Sequence, residues 1–164
     1  MQKILFLDWD GPISNSRTWS MPHNIDPVAV QLLNEAFING WQFVLTSIIR
    51  NNMKNVTEAS RFMDDRGIGY QWFDVENELW RTSTRLVTAR YLEILQWMHD
   101  AENLIEDEAV FISLDDETLP DPMCRRLRIT QFPICADEGI GHKSLDAYRT
   151  IIRSTNSQLK ALYL

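Results

Sequence analysis

Two patterns of apolar residues take turns along this chain. Residues 4–7, 43–45 and 109–114 are near-continuous apolar runs bounded by polar residues. Such runs predict strands buried on both faces, as in a parallel sheet. Between them, apolar residues return at helical spacing. Val28, Leu32, Leu33 and Phe37 form one stripe, opened by Asp26-Pro27 and closed by Asn39-Gly40. Aspartate suits the N-cap, proline the first helical position and glycine the stop. Val56, Ala59, Ser60 and Met63 form a second stripe, ended by Gly67. Val87, Tyr91, Ile94, Leu95 and Met98 form a third, in a long helix starting near Leu86. Ser144 and Ala147 open a last helix running towards Arg153, which the final residues extend or leave to fray. Shorter strands are expected at 70–73 and 127–130, and a loop at 75–85.

Strand and helix thus alternate, which predicts an α/β fold: a doubly wound, Rossmann-like parallel sheet of about five strands. No linker, repeat or low-complexity tract interrupts residues 1–164, so a single domain is expected.

Composition changes this picture little. Hydrophobic residues make up 45% of the chain and charged residues 24%, enough for one core and against wholesale disorder. The formal net charge of −7 disfavours nonspecific coating of nucleic acid. Arg81, Arg85 and Arg90, and Arg125, Arg126 and Arg128, read first as solvated surfaces and second as local basic patches. Cys124 and Cys135 lack metal-ligand spacing and read as free thiols of a reducing compartment. The N-terminal apolar run is too short for a signal segment or a membrane span. The expectation is a soluble cytoplasmic protein with no membrane partner.

The candidate chemistry lies just past the ends of the strands. In open α/β sheets, ligands bind beyond the carboxyl ends of the strands. Asp8, Trp9, Asp10 and Gly11 come after the first run, Thr46 and Ser47 after the second, and Asp115 and Asp116 after the run ending at 114. Four carboxylates on one partly desolvated rim repel unless a cation neutralises them. An all-oxygen ligand set favours a hard ion such as magnesium, which also suits phosphoryl chemistry. Asp8 and Asp10 stand two apart, so an extended chain points both to one side. One can attack phosphorus while the other gives and takes a proton. Gly11 permits the turn that carries the chain away.

ILFLDWDG resembles the first motif of the haloacid dehalogenase (HAD) superfamily. FVLTS resembles the second motif, and VFISLDD the fourth. ARYLEILQWMHD is similar to the helix that carries the third motif's basic residue. Residues 126–151 resemble the last strand, loop and helix of small HAD proteins. The resemblance implies a magnesium-dependent phosphomonoesterase, a hydrolase that works through an aspartyl-phosphate. Asp8 would be the nucleophile and Asp10 the acid and base, with Thr46 hydrogen-bonding the phosphoryl group and Ser47 the lesser candidate. Asp8, Asp115, Asp116 and the backbone carbonyl of Asp10 would hold the metal. Arg90 takes the basic position, where lysine is more usual, and Arg85 competes for it. Gly11, Ser47 and Arg50 are candidates for contact with the substrate.

The intervals after Gly11 and between Ser47 and Arg90 leave no room for a cap domain. An open site suits a nucleic-acid end or a phosphoprotein, though capless members also take nucleotides. WRTSTR loosely resembles small HAD domains associated with nucleic-acid end repair. Trp9, Trp19, Trp72 and Trp80 either stack bases near the rim or, as the heavier reading, pack in the core and flap. His23, in the flap, is a minor candidate for substrate contact. GIGHKS, at 139–144, lacks phosphate-loop spacing and reads as the cap of the last helix. A nucleotide or a polynucleotide end is the expected substrate. A phosphoprotein phosphatase or a catalytically silent binding module is the alternative.

Overall fold

The apolar runs form the centre of a parallel sheet. The structure, a computed structural model, describes residues 1–46, 49–85 and 88–163. Strands β1 (Lys3–Leu7), β2 (Gln42–Leu45), β3 (Val110–Leu114) and β4 (Ile129–Thr130) lie in the order β2-β1-β3-β4, each pair parallel. β1 is central, with Leu5 opposite Phe43 on one side and Ile112 on the other. The helices are α1 (Pro27–Ile38), α2 (Ile49–Asn52), α3 (Val56–Asp65), α4 (Arg90–Asp100), α5 (Asp121–Leu127), α6 (His142–Ile152) and α7 (Asn156–Tyr163).

Alternate residues of each strand point to opposite faces, so both faces need cover. Leu5, Leu7, Phe43, Leu45, Ile112 and Leu114 pack with residues of α1, α3, α6 and α7, among them Leu33, Met63, Tyr148 and Leu159. On the other face, Ile4, Phe6, Val44 and Phe111 pack with Ile94 and Trp97 of α4 and Met123 of α5. Helices thus cover both sides of the sheet, as expected of a doubly wound fold. Trp97 anchors α4: its ring meets Phe6 edge-on at 5.1 Å and its indole N–H donates to the Leu79 carbonyl at 2.9 Å. The Tyr148 hydroxyl donates to the Ser113 carbonyl at 2.8 Å and ties α6 to the end of β3.

The sheet has four strands among the described residues, not five. The segment expected as a strand at 70–73 contributes a single bridge, Trp72 to Phe43, and Arg81 bridges Leu45 further along the same edge. The chain touches the β2 edge twice and leaves it in between, through turns around Asp74 and Glu78, both at positive φ. The strand expected at 127–130 shrinks to Ile129–Thr130 because Leu127 closes α5, a helix with no sequence-based expectation. Arg128, in the left-handed region at φ 58°, makes the switch. The long helix starts at Arg90, and Leu86 and Val87 lie outside the described residues. The chain end forms a helix of its own after Thr155.

Among the described residues, neither interval considered for a cap folds into a separate unit. Residues 8–26 form turns and a single 3-10 turn, Pro22–Asn24, and residues 66–85 run along the β2 edge. No described helix is long and apolar enough to cross a membrane.

Candidate functional site

The ladder hydrogen bonds continue one residue past the strands. The Asp8 amide donates to the Leu114 carbonyl at 3.0 Å, and the Thr46 amide to the Leu7 carbonyl at 3.0 Å. Asp8 and Thr46 are therefore fixed by the sheet itself. Asp115 comes directly after β3, so its carboxylate meets that of Asp8. Asp8 is 3% exposed, Asp115 2%, and Asp116 half-buried. One oxygen from each of the three lies within 4.8 Å of the others.

Arg90, the first residue of α4, reaches into this cluster. Its guanidinium lies 2.6 Å from Asp115 Oδ2, 3.3 Å from Asp8 Oδ1 and 2.7 Å from Glu93 Oε2, and it also donates to the Thr46 carbonyl. Its amide donates to Glu117 Oε1 at 3.1 Å, while the Glu117 amide donates to Asp115 Oδ1 at 2.9 Å. Glu117 thus satisfies an otherwise open N–H of the α4 N-terminus, where negative charge is favoured. Arg85, the competing basic residue, is exposed and makes no contact with the carboxylates among the described residues. It lines a separate cavity of about 720 Å³ with Arg81 and Asp100.

Burial dominates the electrostatics. It pushes the Asp8 carboxyl up to about 9, helped by the charge of Asp115 and by a hydrogen bond that the protonated Asp8 carboxyl donates to Asp116, against the pull of Arg90. Burial likewise pushes Asp115 up to about 6, with Arg90 and the Glu117 amide pulling it down. Burial alone would lower Arg90, but Asp115, Asp8 and Glu93 outweigh it and hold the guanidinium firmly charged. Among the described residues, Asp8, Asp115, Asp116 and Glu93 face Arg50 and Arg90 as cations, an excess of two negative charges when all are ionised. The cluster fits a hard divalent cation: its donors are all oxygen, its charge is uncompensated, and the buried Thr46 hydroxyl has no hydrogen-bond partner among the described residues.

Gly11 carries the turn out of β1. Its φ is +105°, and a Cβ there would lie 2.8 Å from Asp116 Cγ. Only glycine both adopts this backbone and leaves room for the Asp116 carboxylate. Asp10 is exposed, and its carboxylate stands outside the three-carboxylate group. With Asp116 it lines an open cavity of about 440 Å³.

Arg50, expected near the substrate, is instead buried beneath the rim. It donates to the Thr46 carbonyl at 2.8 Å and pairs with Glu93 at 3.3 Å. Ser47 lies outside the described residues. Trp9, Trp72 and Trp80 are buried and do not form a stacking surface; Trp19 alone of the four considered is exposed. His23 is exposed in the flap, and Gly141 caps α6, as read from GIGHKS.

Sequence reasoning missed Glu93 and Glu117. Glu93 stands three residues after Arg90 on one helix, a spacing that brings side chains together, so its signal was present. Glu117 had none, because its partner Arg90 is remote in sequence.

A protein-family model described as "HAD domain in Swiss Army Knife RNA repair proteins" matches residues 4–133. The match runs from β1 into the loop after β4 and includes every carboxylate and arginine of the site. No curated protein and no solved structure matches the chain. Family match, motif order and sheet topology agree: this chain belongs to the HAD superfamily, as a HAD domain of the kind found in Swiss Army Knife RNA repair proteins.

Proposed function

We propose that residues 1–164 form one HAD-like hydrolase domain, a magnesium-dependent phosphomonoesterase acting on the phosphate of a nucleotide or nucleic-acid end. The observation that carries this reading is the cluster of buried Asp8 and Asp115 with half-buried Asp116, clamped at Asp8 and Asp115 by Arg90. The family's description adds RNA repair, which favours a nucleic-acid end over a phosphoprotein. The two free cysteines fit a reducing compartment, and we place the reaction in the cytoplasm.

In the proposed reaction an Asp8 carboxylate oxygen bonds to phosphorus as the bond to the ester oxygen breaks. Asp10, exposed beside the cavity, gives its proton to the leaving oxygen. It then takes a proton from the water that attacks the aspartyl-phosphate, and inorganic phosphate leaves with Asp8 restored. Arg90 offsets charge on the phosphoryl oxygens, and the open Thr46 hydroxyl donates to one of them. Asp8, Asp115 and Asp116, with the Asp10 carbonyl, would hold magnesium, and its charge would keep Asp8 ionised at neutral pH.

The test is phosphate release from an aryl phosphate, nucleoside monophosphates and oligonucleotides with 3′- or 5′-terminal phosphates. Release that needs magnesium and is lost in Asp8→Asn is expected. A folded protein that releases phosphate from none of them would favour a phosphoprotein substrate or a silent binding module.

A further inference from the structure

We propose that Trp19 is a nucleobase platform, its indole stacking on the base of the nucleotide whose phosphate is presented to Asp8. This deepens the phosphatase reading and rests on it. The chain has six tryptophans. Trp9, Trp41, Trp72, Trp80 and Trp97 are at most 9% exposed, whereas Trp19 is 75% exposed. A large apolar ring left in water forgoes the burial that its neighbours enjoy.

That exposure does not come from a loose segment. Ile13 and Ile25, on either side, are buried in the core. Next to Trp19, Thr18 is fully buried, and its hydroxyl accepts the Asn15 amide at 3.0 Å and lies 2.8 Å from Asn24 Oδ1. The Met21 amide donates to the Thr18 carbonyl at 2.9 Å, and the Asn15 side chain donates to the Gly11 carbonyl at 3.0 Å. The chain that carries Trp19 is thus tied to the Gly11 turn, which itself packs on Asp116.

Trp19 lines the same cavity of about 440 Å³ as Asp10 and Asp116. Asp8 itself does not line this cavity, but Asp116 does and has an oxygen within 4.8 Å of one of Asp8, so a nucleotide with its phosphate at Asp8 would extend its sugar and base past Asp116 towards the indole. Asp137 lines the cavity too, and no lysine or arginine does among the described residues. This wall offers no cation to a phosphate, so the uncharged indole face is the part of it suited to a base. Stacking accepts any base, so the platform selects for the presence of a base rather than for sequence.

The experiment compares kcat/KM on phosphorylated RNA ends with and without the terminal base, for wild type, Trp19→Ala and Trp19→Phe. Wild type is expected to prefer the base-bearing end by about 5- to 150-fold. In Trp19→Ala that ratio falls towards one through KM, and Trp19→Phe restores part of it. A second arm titrates Asp8→Asn with a phosphorylated trinucleotide; tryptophan fluorescence is expected to be quenched, and the quench to vanish when Trp19→Phe is added. Equal wild-type rates on the two ends, or an unchanged ratio in Trp19→Ala, would overturn the platform while leaving the phosphatase reading intact. Hydrolysis of neither end by wild type removes that reading and the platform with it.

Discussion

Glu93 sets the geometry of the site without facing the cavity that lies over it. Buried at 4% exposure, its carboxylate joins Arg90 at 2.7 Å and Arg50 at 3.3 Å. The Thr46 carbonyl accepts hydrogen bonds from both arginines. Arg90 is thereby held with different nitrogens on Asp8, Asp115 and Glu93, which the planar guanidinium fork allows and a lysine ammonium does not. That is a physical reason for an arginine at this position. Glu93→Gln should keep the shape of the site but release this anchor. The expected outcome is a kcat reduced about tenfold to a hundredfold with KM nearly unchanged. Stability should fall by about 3 kcal/mol, because buried Arg50 and half-buried Arg90 both lose a charged partner. Steady-state kinetics and urea unfolding check the two parts, and a wild-type kcat in Glu93→Gln would show that Arg90 needs no such anchor.

At the scale of elements, the site is made by what happens one residue beyond each strand. β1, β2 and β3 end at Leu7, Leu45 and Leu114, and Asp8, Thr46 and Asp115 come next. Parallel pairing aligns these ends, so the register Leu7 to Leu45 and Leu7 to Leu114 brings the three polar residues to one rim. This much was legible in the sequence, because an apolar run ending abruptly in acids marks both the strand and its carboxyl end. The Gly11 turn was legible as flexibility but not as space: its contact with Asp116 joins two loops remote in sequence. Gly11→Ala is expected to cost about 1–3 kcal/mol from the strained positive φ. It should also weaken cation binding by pushing Asp116 aside. Denaturant unfolding and calorimetric titration with magnesium would measure these, and an unaltered cation affinity would remove Asp116 from the ligand set.

For the whole molecule, the buried acids make stability depend on pH and on the cation. The ordinary aspartate pKa is 3.8, while burial places Asp8 at about 9 and Asp115 at about 6 in the folded chain. Between these values the folded protein keeps protons that the unfolded chain has released. Metal-free stability is therefore greatest in mild acid and declines as pH rises from about 4 towards about 9. A divalent cation binds the ionised form and should flatten the decline. Thermal unfolding in chelator, across that range, is expected to show a falling midpoint that magnesium restores and that Asp8→Asn largely abolishes. A midpoint that rises with pH in chelator would contradict the shifted carboxyls.

The sequence by itself determined the α/β class, the strand ends and the identity of the rim carboxylates. Local periodicity and short motifs are properties of neighbouring residues, and a parallel sheet converts them directly into position. It did not determine the strand count. Residues 70–73 have strand-like composition, but the turn at Asp74 pulls them off the β2 edge. Nor did it separate the tryptophans, since whether an indole is covered depends on helices distant in the chain. Trp80 is fully buried and Trp19 largely exposed, though both stand in segments without regular periodicity. The tertiary structure alone decided that Arg90 rather than Arg85 meets Asp8, that Arg50 turns inward to Glu93, and that Trp19 shares a cavity with Asp10 and Asp116. Each is a contact between segments whose separation along the chain carries no local signal.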